Sequence, residues 1–288
     1  MDCSTSHSHR TRMFPIAAVL FMLTFCIAVN KSLKPFKILL LTPPFGGKGG
    51  HLPWMKALAK TLGSRGHEVI LLLQGLGRET SRLYKTKHIP SRFSDERSKQ
   101  FLKLYLTDSV RFIRNMVTEC EAVLNNKEIL LELLDKKFDL AVTDRFYHCG
   151  YLVAEKLKVP FAVFDGASYN GPLDAHAPTP LAYVPMFNSR LTDNMALLER
   201  LRNVYLYIAR QFASKKLLAP FSQLISKYNL SSTEMSIEGI MGKAQLWLLD
   251  SDFSLEFPRP LMPNMVYIGG LLITSPKPLP KVCTGFFS

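Results

Sequence analysis

A histidine that closes a glycine loop after an apolar run is well placed to act as a base. The run FKILLLTPPF is followed by Gly46-Gly47-Lys48-Gly49-Gly50-His51-Leu52-Pro53-Trp54. Four glycines and a lysine after a strand suggest a phosphate cradle, but neither phosphate motif is complete. A Walker loop needs its lysine to follow G-x-x-x-x-G and to precede Ser or Thr, and Lys48 lies between glycines. The dinucleotide fingerprint G-x-G-x-x-G requires a third glycine where Leu52 stands. Glycine also permits positive φ and close backbone approach, so the loop can serve to present His51. The second candidate is Asp144, which opens the turn DRFYHCG after another apolar run. A carboxylate bonded to one imidazole nitrogen fixes the tautomer and stabilises the imidazolium, leaving the other nitrogen to accept a proton. The competing reading makes each residue a helix cap at a strand–helix turn. His148 and Cys149 are adjacent, but helix neighbours project about 100° apart, so they do not form a nucleophile and its base. They and His67 read as structural.

His51 and Asp144 meet only if the fold brings them to one edge. Phe36–Thr42 reads as a strand and His51–Arg65 as a helix, with Trp54, Leu58 and Leu62 at fourfold spacing. Gly66 stops that helix, and Glu68–Leu73 is a second buried strand, completing a βαβ unit. A long helical pattern runs from Ser94 to about Leu134. It is followed by a strand at Phe138–Thr143, a helix at Cys149–Leu157 and a strand at Val159–Phe164. Such alternation predicts an α/β fold, a Rossmann-like doubly wound parallel sheet. Ligands bind beyond the carboxyl ends of such strands, where His51 and Asp144 both fall.

With 288 residues, 47% of them apolar, the chain can bury a large core. Residues 13–29 are an apolar run preceded by Arg10 and Arg12, and Ala28 offers a cleavage point. This reads as a secretory signal peptide rather than a span, which needs about 20 apolar residues. The expected organisation is a signal peptide over 1–29, an acceptor-binding Rossmann-like domain over 30–274, and a linker with a truncated tail over 275–288. Two sequons, at Asn30 and Asn229, suit a secretory route. Past the leader, Cys120, Cys149 and Cys283 are an odd number without regular spacing and imply neither a disulfide framework nor a zinc site. The net charge of +13 is spread along the chain. Together with the leader this argues against a nucleic-acid partner and for a solvated surface or one near anionic lipid.

Four segments together resemble the amino-terminal half of the family 1 UDP-glycosyltransferases. They are GGHLPWMKALAKTLGSRGHEV, FDLAVTDRFYHCG, APTPLAYVPMFNSRLTDNMALLERLRN and DSDFSLEFPRPLMPNMVYIGG, in the family's order, and the likeness covers about Phe36 to Pro280. The third is similar to the ceramide galactosyltransferase branch. The resemblance implies the amino-terminal half of a GT-B fold, with His51 as catalytic base and Asp144, in the pattern T-D-x-F-x-x-C-G, as its supporting carboxylate. It implies inverting hexosyl transfer from a UDP-sugar such as UDP-galactose or UDP-glucuronate to a lipophilic hydroxyl such as a sphingolipid. The UDP-sugar is a co-substrate, and neither a cofactor nor a metal is expected. It also implies an endoplasmic reticulum lumenal, membrane-associated protein and an oligomer with full-length family members. The family's donor-binding motif begins at neither Trp54 nor Trp247, and its membrane-spanning tail is not recognisable. The chain is therefore expected to be a truncated form, inactive alone. The alternative is a non-catalytic regulatory isoform that binds acceptor or partner.

Met195, Leu198, Leu201, Tyr205, Ile208 and Phe212 recur at three- and fourfold spacing. Arg200, Arg202, Arg210, Lys215 and Lys216 surround them. A stripe of this kind either lies in a bilayer interface or packs on the core. The family resemblance implies contact with the lumenal leaflet in this region, which makes Tyr205, Ile208 and Phe212 candidate membrane contacts.

Overall fold

The computed structural model describes residues 34–44, 51–75, 81–91, 108–166, 171–231 and 235–273. Its strands are β1 (Lys37–Leu41), β2 (Glu68–Gln74), β3 (Lys85–Ile89), β4 (Leu140–Asp144), β5 (Phe161–Asp165), β6 (Leu246–Leu249) and β7 (Met265–Tyr267). All pair in parallel within one sheet of order β3-β2-β1-β4-β5-β6-β7. The helices are α1 (His51–Ser64), α2 (Ser109–Asn125), α3 (Lys127–Asp135), α4 (His148–Leu157), α5 (Gly171–Asp174), α6 (Leu197–Lys227) and α7 (Ile237–Met241).

The central strands are almost continuously apolar because both faces of a parallel sheet are covered. Alternate residues feed two cores. Ile38, Leu40, Val69, Leu71 and Phe164 pack with Leu52, Met55 and Leu58 of α1. Leu39, Leu41, Ile70, Leu72 and Val163 pack with residues of α2, α3, α4, α6 and α7. From β1 the sheet grows outward to β2 and β3, and from β4 it grows the other way. The β1–β4 junction is therefore the topological switch point, where a doubly wound sheet opens a crevice at its carboxyl edge.

Local chemistry sets the element ends. Gly66, at φ 87°, turns the chain after α1 as expected. Asp108 caps α2 by accepting from the Arg111 N–H, and Asn126 caps α3 by accepting from that of Ile129. Asn126 thus divides the long helical pattern into two helices; its expected portion from 94 to 107 lies outside the described residues. At Gly150 a Cβ would meet Thr143 Oγ1 at 2.0 Å, so only glycine lets α4 lie this close to β4.

Three strands escape the sequence reading. The sequence of β3, KTKHI, is largely polar because it forms the sheet edge. The others, β6 and β7, have only four and three residues. The cysteine reading is also corrected. Cys120 on α2 and Cys149 on α4 form a disulfide, with Cα atoms 5.3 Å apart. Linear spacing hid a pair that helix packing brings together. The expected leader over 1–29, Asn30, the glycines 46–50 and the tail over 275–288 lie outside the described residues.

Candidate active site

The switch point brings the two candidate residues together. His51 is the first residue of α1, and Asp144 is the last of β4, the strand beside β1. His51 Nδ1 lies 2.8 Å from Asp144 Oδ2, with 20% of the histidine side chain and 1% of the aspartate exposed. The other carboxylate oxygen, Oδ1, accepts the Phe146 backbone N–H at 2.9 Å. Both oxygens are therefore fixed, and Nδ1 of a neutral ring donates to Asp144, leaving its lone pair on Nε2. Burial disfavours the charged imidazole, but the Asp144 charge and hydrogen bond outweigh it and raise the His51 pKa above the ordinary 6.5. Arg145 works in the opposite sense and Asp165 with Asp144. Aromatic edges flank the ring: Phe146 at 5.1 Å and Trp54 at 6.3 Å between centroids.

The turn carrying Asp144 is held by groups that sequence reasoning missed, and by Arg210, which it had placed among the charges around the apolar stripe. Arg145 is buried and donates from Nε to Asp165 Oδ1 at 3.2 Å and from Nη1 to Asp174 Oδ2. Asp174 also accepts from Arg210 Nη2 at 2.7 Å, which ties α6 to the turn. Burial pulls the pKa of the Arg145 guanidinium down, but Asp165 and Asp174 outweigh it and hold the pKa above the usual value. Asp174 is likewise kept ionised, its burial outweighed by the two arginines. On the other side, Tyr147 donates to Gln74 Oε1 at 2.9 Å, and Gln74 Nε2 donates to buried Glu119 at 3.0 Å. Arginines and carboxylates far apart in sequence carried no spacing signal. Asp165, at the carboxyl end of a recognised strand, was the one that strand-end logic could have found.

A cavity of about 580 Å³ reaches Arg145 and Phe146, the residues that follow Asp144, but is lined by neither His51 nor Asp144. Its walls include Phe146, His148, Leu173, Arg210, Phe212 and Met241. His148 stacks on Phe221 at 5.2 Å, and burial pushes its pKa down to about 4, so it is neutral at physiological pH. His67 accepts the Phe36 N–H at 3.2 Å, at the opposite end of β1 from Asp144.

The stripe on α6 does not pack on the core. Leu198, Leu201, Tyr205, Ile208 and Phe212 are 78%, 58%, 69%, 48% and 73% exposed, whereas Met195, before the helix, is buried. The helix instead anchors through Leu218, Phe221, Leu224 and Ile225, and through Asn203, which bonds the backbone of 181–186. Among the described residues no helix is long and apolar enough to cross a membrane. Asn229 is exposed in the turn after α6.

A doubly wound sheet with a histidine and carboxylate paired at its switch point defines a class of ligand-handling α/β domains, and comparison with known proteins narrows the class. Residues 78–288 match the family described as UDP-glucoronosyl and UDP-glucosyl transferase, and the chain belongs to that family. It is 35% identical over 255 residues to 2-hydroxyacylsphingosine 1-beta-galactosyltransferase of Rattus norvegicus, covering 84% of this chain and 47% of the relative. The Homo sapiens protein of that name is 33% identical, covering 90% and 49%. UDP-glucuronosyltransferase 3A1 of Xenopus laevis is 31% identical, covering 86% and 50%. The chain thus spans about half the length of these curated relatives.

Proposed function

We propose that this chain supplies the acceptor site and catalytic base of an inverting UDP-glycosyltransferase. The observation that carries the reading is the 2.8 Å pairing of His51 Nδ1 with buried Asp144 at the switch point of the sheet. Nε2 takes the proton of an acceptor hydroxyl as its oxygen attacks the anomeric carbon of the UDP-sugar. The bond from that carbon to the UDP oxygen breaks, UDP leaves with the electron pair, and attack from the opposite face inverts the anomeric centre. Asp144 stabilises the imidazolium that forms. The mainly apolar cavity past Phe146 suits the body of a lipophilic acceptor. The names of the relatives support a sphingolipid hydroxyl as acceptor and galactose or glucuronic acid as the sugar. Holding the donor is assigned to a second half of the kind that the relatives' length accommodates. The test is incorporation of label from UDP-galactose, UDP-glucuronate or UDP-glucose into ceramide or a phenol by a complete transferase carrying this half. Transfer that yields the inverted anomer supports the reading, and absence of transfer from all three donors by a folded enzyme refutes it.

The same reading puts the protein in the endoplasmic reticulum lumen, with Asn229 open to glycosylation and the exposed face of α6 against the membrane. Tyr205, Ile208 and Phe212 supply apolar contact, and Arg200, Arg202, Lys215 and Lys216 supply charge for anionic head groups. Because all three apolar side chains are exposed, replacing them with serine should leave the fold intact. The wild-type chain is expected to sediment with phosphatidylserine-containing vesicles, and the triple variant to stay in the supernatant with an unchanged melting temperature. Equal sedimentation of both proteins would remove α6 from the interface.

A further inference from the structure

A buried arginine beside a general base needs a reason. Ion pairs taken out of water seldom add net stability over apolar residues of the same volume, so stability does not explain Arg145. Its geometry does more than neutralise charge. The guanidinium is gripped by Asp165 on Nε and Asp174 on Nη1, and Asp174 is itself gripped by Arg210. So clamped, the Arg145 Cζ lies 4.2 Å from the centroid of the Phe146 ring. Phe146 in turn sets its ring against His51, 5.1 Å away and inclined by 67°. A planar fork can bind two carboxylates and cover an aromatic face together, which a lysine ammonium cannot do.

We propose that Arg145, clamped by Asp165 and Asp174, is a positioning residue that holds the His51 imidazole against Asp144 through the ring of Phe146. Asp174 and Arg210 extend the clamp to α6, so that helix becomes part of the support of the base. The consequence for catalysis rests on the base reading above, whereas the consequence for the imidazole does not.

With Nδ1 facing Asp144, the neutral ring carries its proton on Nδ1. A ring released from that contact relaxes toward the Nε2–H tautomer of free histidine. The ratio of the two tautomers, read from ring ¹⁵N shifts of the full 288-residue chain labelled at histidine, therefore reports the restraint. Among the described residues, the charged groups acting on this ring include Asp144, Arg145 and Asp165. Arg145→Lys keeps the charge and removes the fork, Asp174→Asn opens the clamp, and Phe146→Leu removes the linking ring while leaving every charged residue in place. An aromatic contact of this kind is worth roughly threefold to tenfold in a conformer ratio, and each variant should lower the Nδ1–H preference by about that factor. In a complete transferase the same variants should lower kcat by about 10- to 100-fold, with the acceptor KM changing less.

An unchanged tautomer ratio in the folded variants overturns the proposal. If the two ion-cluster variants fail to fold, Phe146→Leu alone decides it. A shifted ratio together with normal transfer by His51→Ala would keep the positioning role and defeat the base reading. An unchanged ratio with an inactive His51→Ala would do the reverse.

Discussion

His51→Ala in a complete transferase carrying this half is expected to lower kcat for sugar transfer by about 10²–10⁴-fold, the range of a positioned general base. A hydroxyl is a poor nucleophile at neutral pH, and its proton must leave as the bond to the anomeric carbon forms. Nε2 is the ring nitrogen that carries the lone pair once Nδ1 donates to Asp144. The structural cost should be small. His51 is at the first position of α1 and partly exposed, and Asp144 keeps the bond to its own turn through the Phe146 N–H. Losing one partner of a buried carboxylate is expected to cost about 1–3 kcal/mol, which leaves a folded protein for assay. Steady-state transfer and thermal melting measured together separate the effects. A folded variant with wild-type turnover would remove His51 from the chemistry.

Breaking the Cys120–Cys149 disulfide should produce the largest loss of stability. The bond closes a loop of 29 residues between α2 and α4, and a cross-link of that span constrains the unfolded chain by roughly 3–4 kcal/mol. Both cysteines are fully buried in the core beneath the sheet, so alanine fills the sites without adding a hydroxyl. Urea unfolding of the oxidised protein and of the Cys120→Ala, Cys149→Ala double variant measures the difference. Since Cys149 lies in the first turn of α4, loosening it should also loosen the turn from Asp144 to His148. A variant as stable as its parent would mean that packing alone holds α4.

The βαβ unit and the strand leading to Asp144 were legible because their apolar runs are long and glycine marks the break at Gly66. Parallel strands buried on both faces announce themselves by composition. The edge strand β3 did not, because an edge carries lysines and histidine that read as loop. The His51–Asp144 pair was legible as two strand ends of one sheet, and the order of β1 beside β4 turned that possibility into a 2.8 Å contact. Arg145, Asp165, Asp174 and Arg210 were not legible as a group. They come from one turn and three elements, and only the fold brings their charges within bonding distance. The disulfide escaped for the same reason. On α6 the periodicity was legible but its direction was not, since spacing alone gives an apolar stripe without saying what covers it.

The central claim is that the neutral form of His51, tied to Asp144, drives the reaction, and pH tests it most directly. The folded His51 pKa is raised above 6.5, chiefly because Asp144 overcomes the effect of burial. A raised histidine pKa favours folding below the unfolded value, and that contribution is lost as pH rises through the folded one. Activity has the opposite trend, because the base works only when deprotonated. The measurement is the pH dependence of kcat/KM for the acceptor in a complete transferase, set beside the NMR titration of His51, for the wild type and Asp144→Asn. The account predicts that kcat/KM rises with pH along an acid limb whose midpoint, above 6.5, coincides with the His51 titration, and that both midpoints fall together in Asp144→Asn. An acid limb that ignores the His51 titration, or that stays in place when Asp144 is replaced, would contradict it.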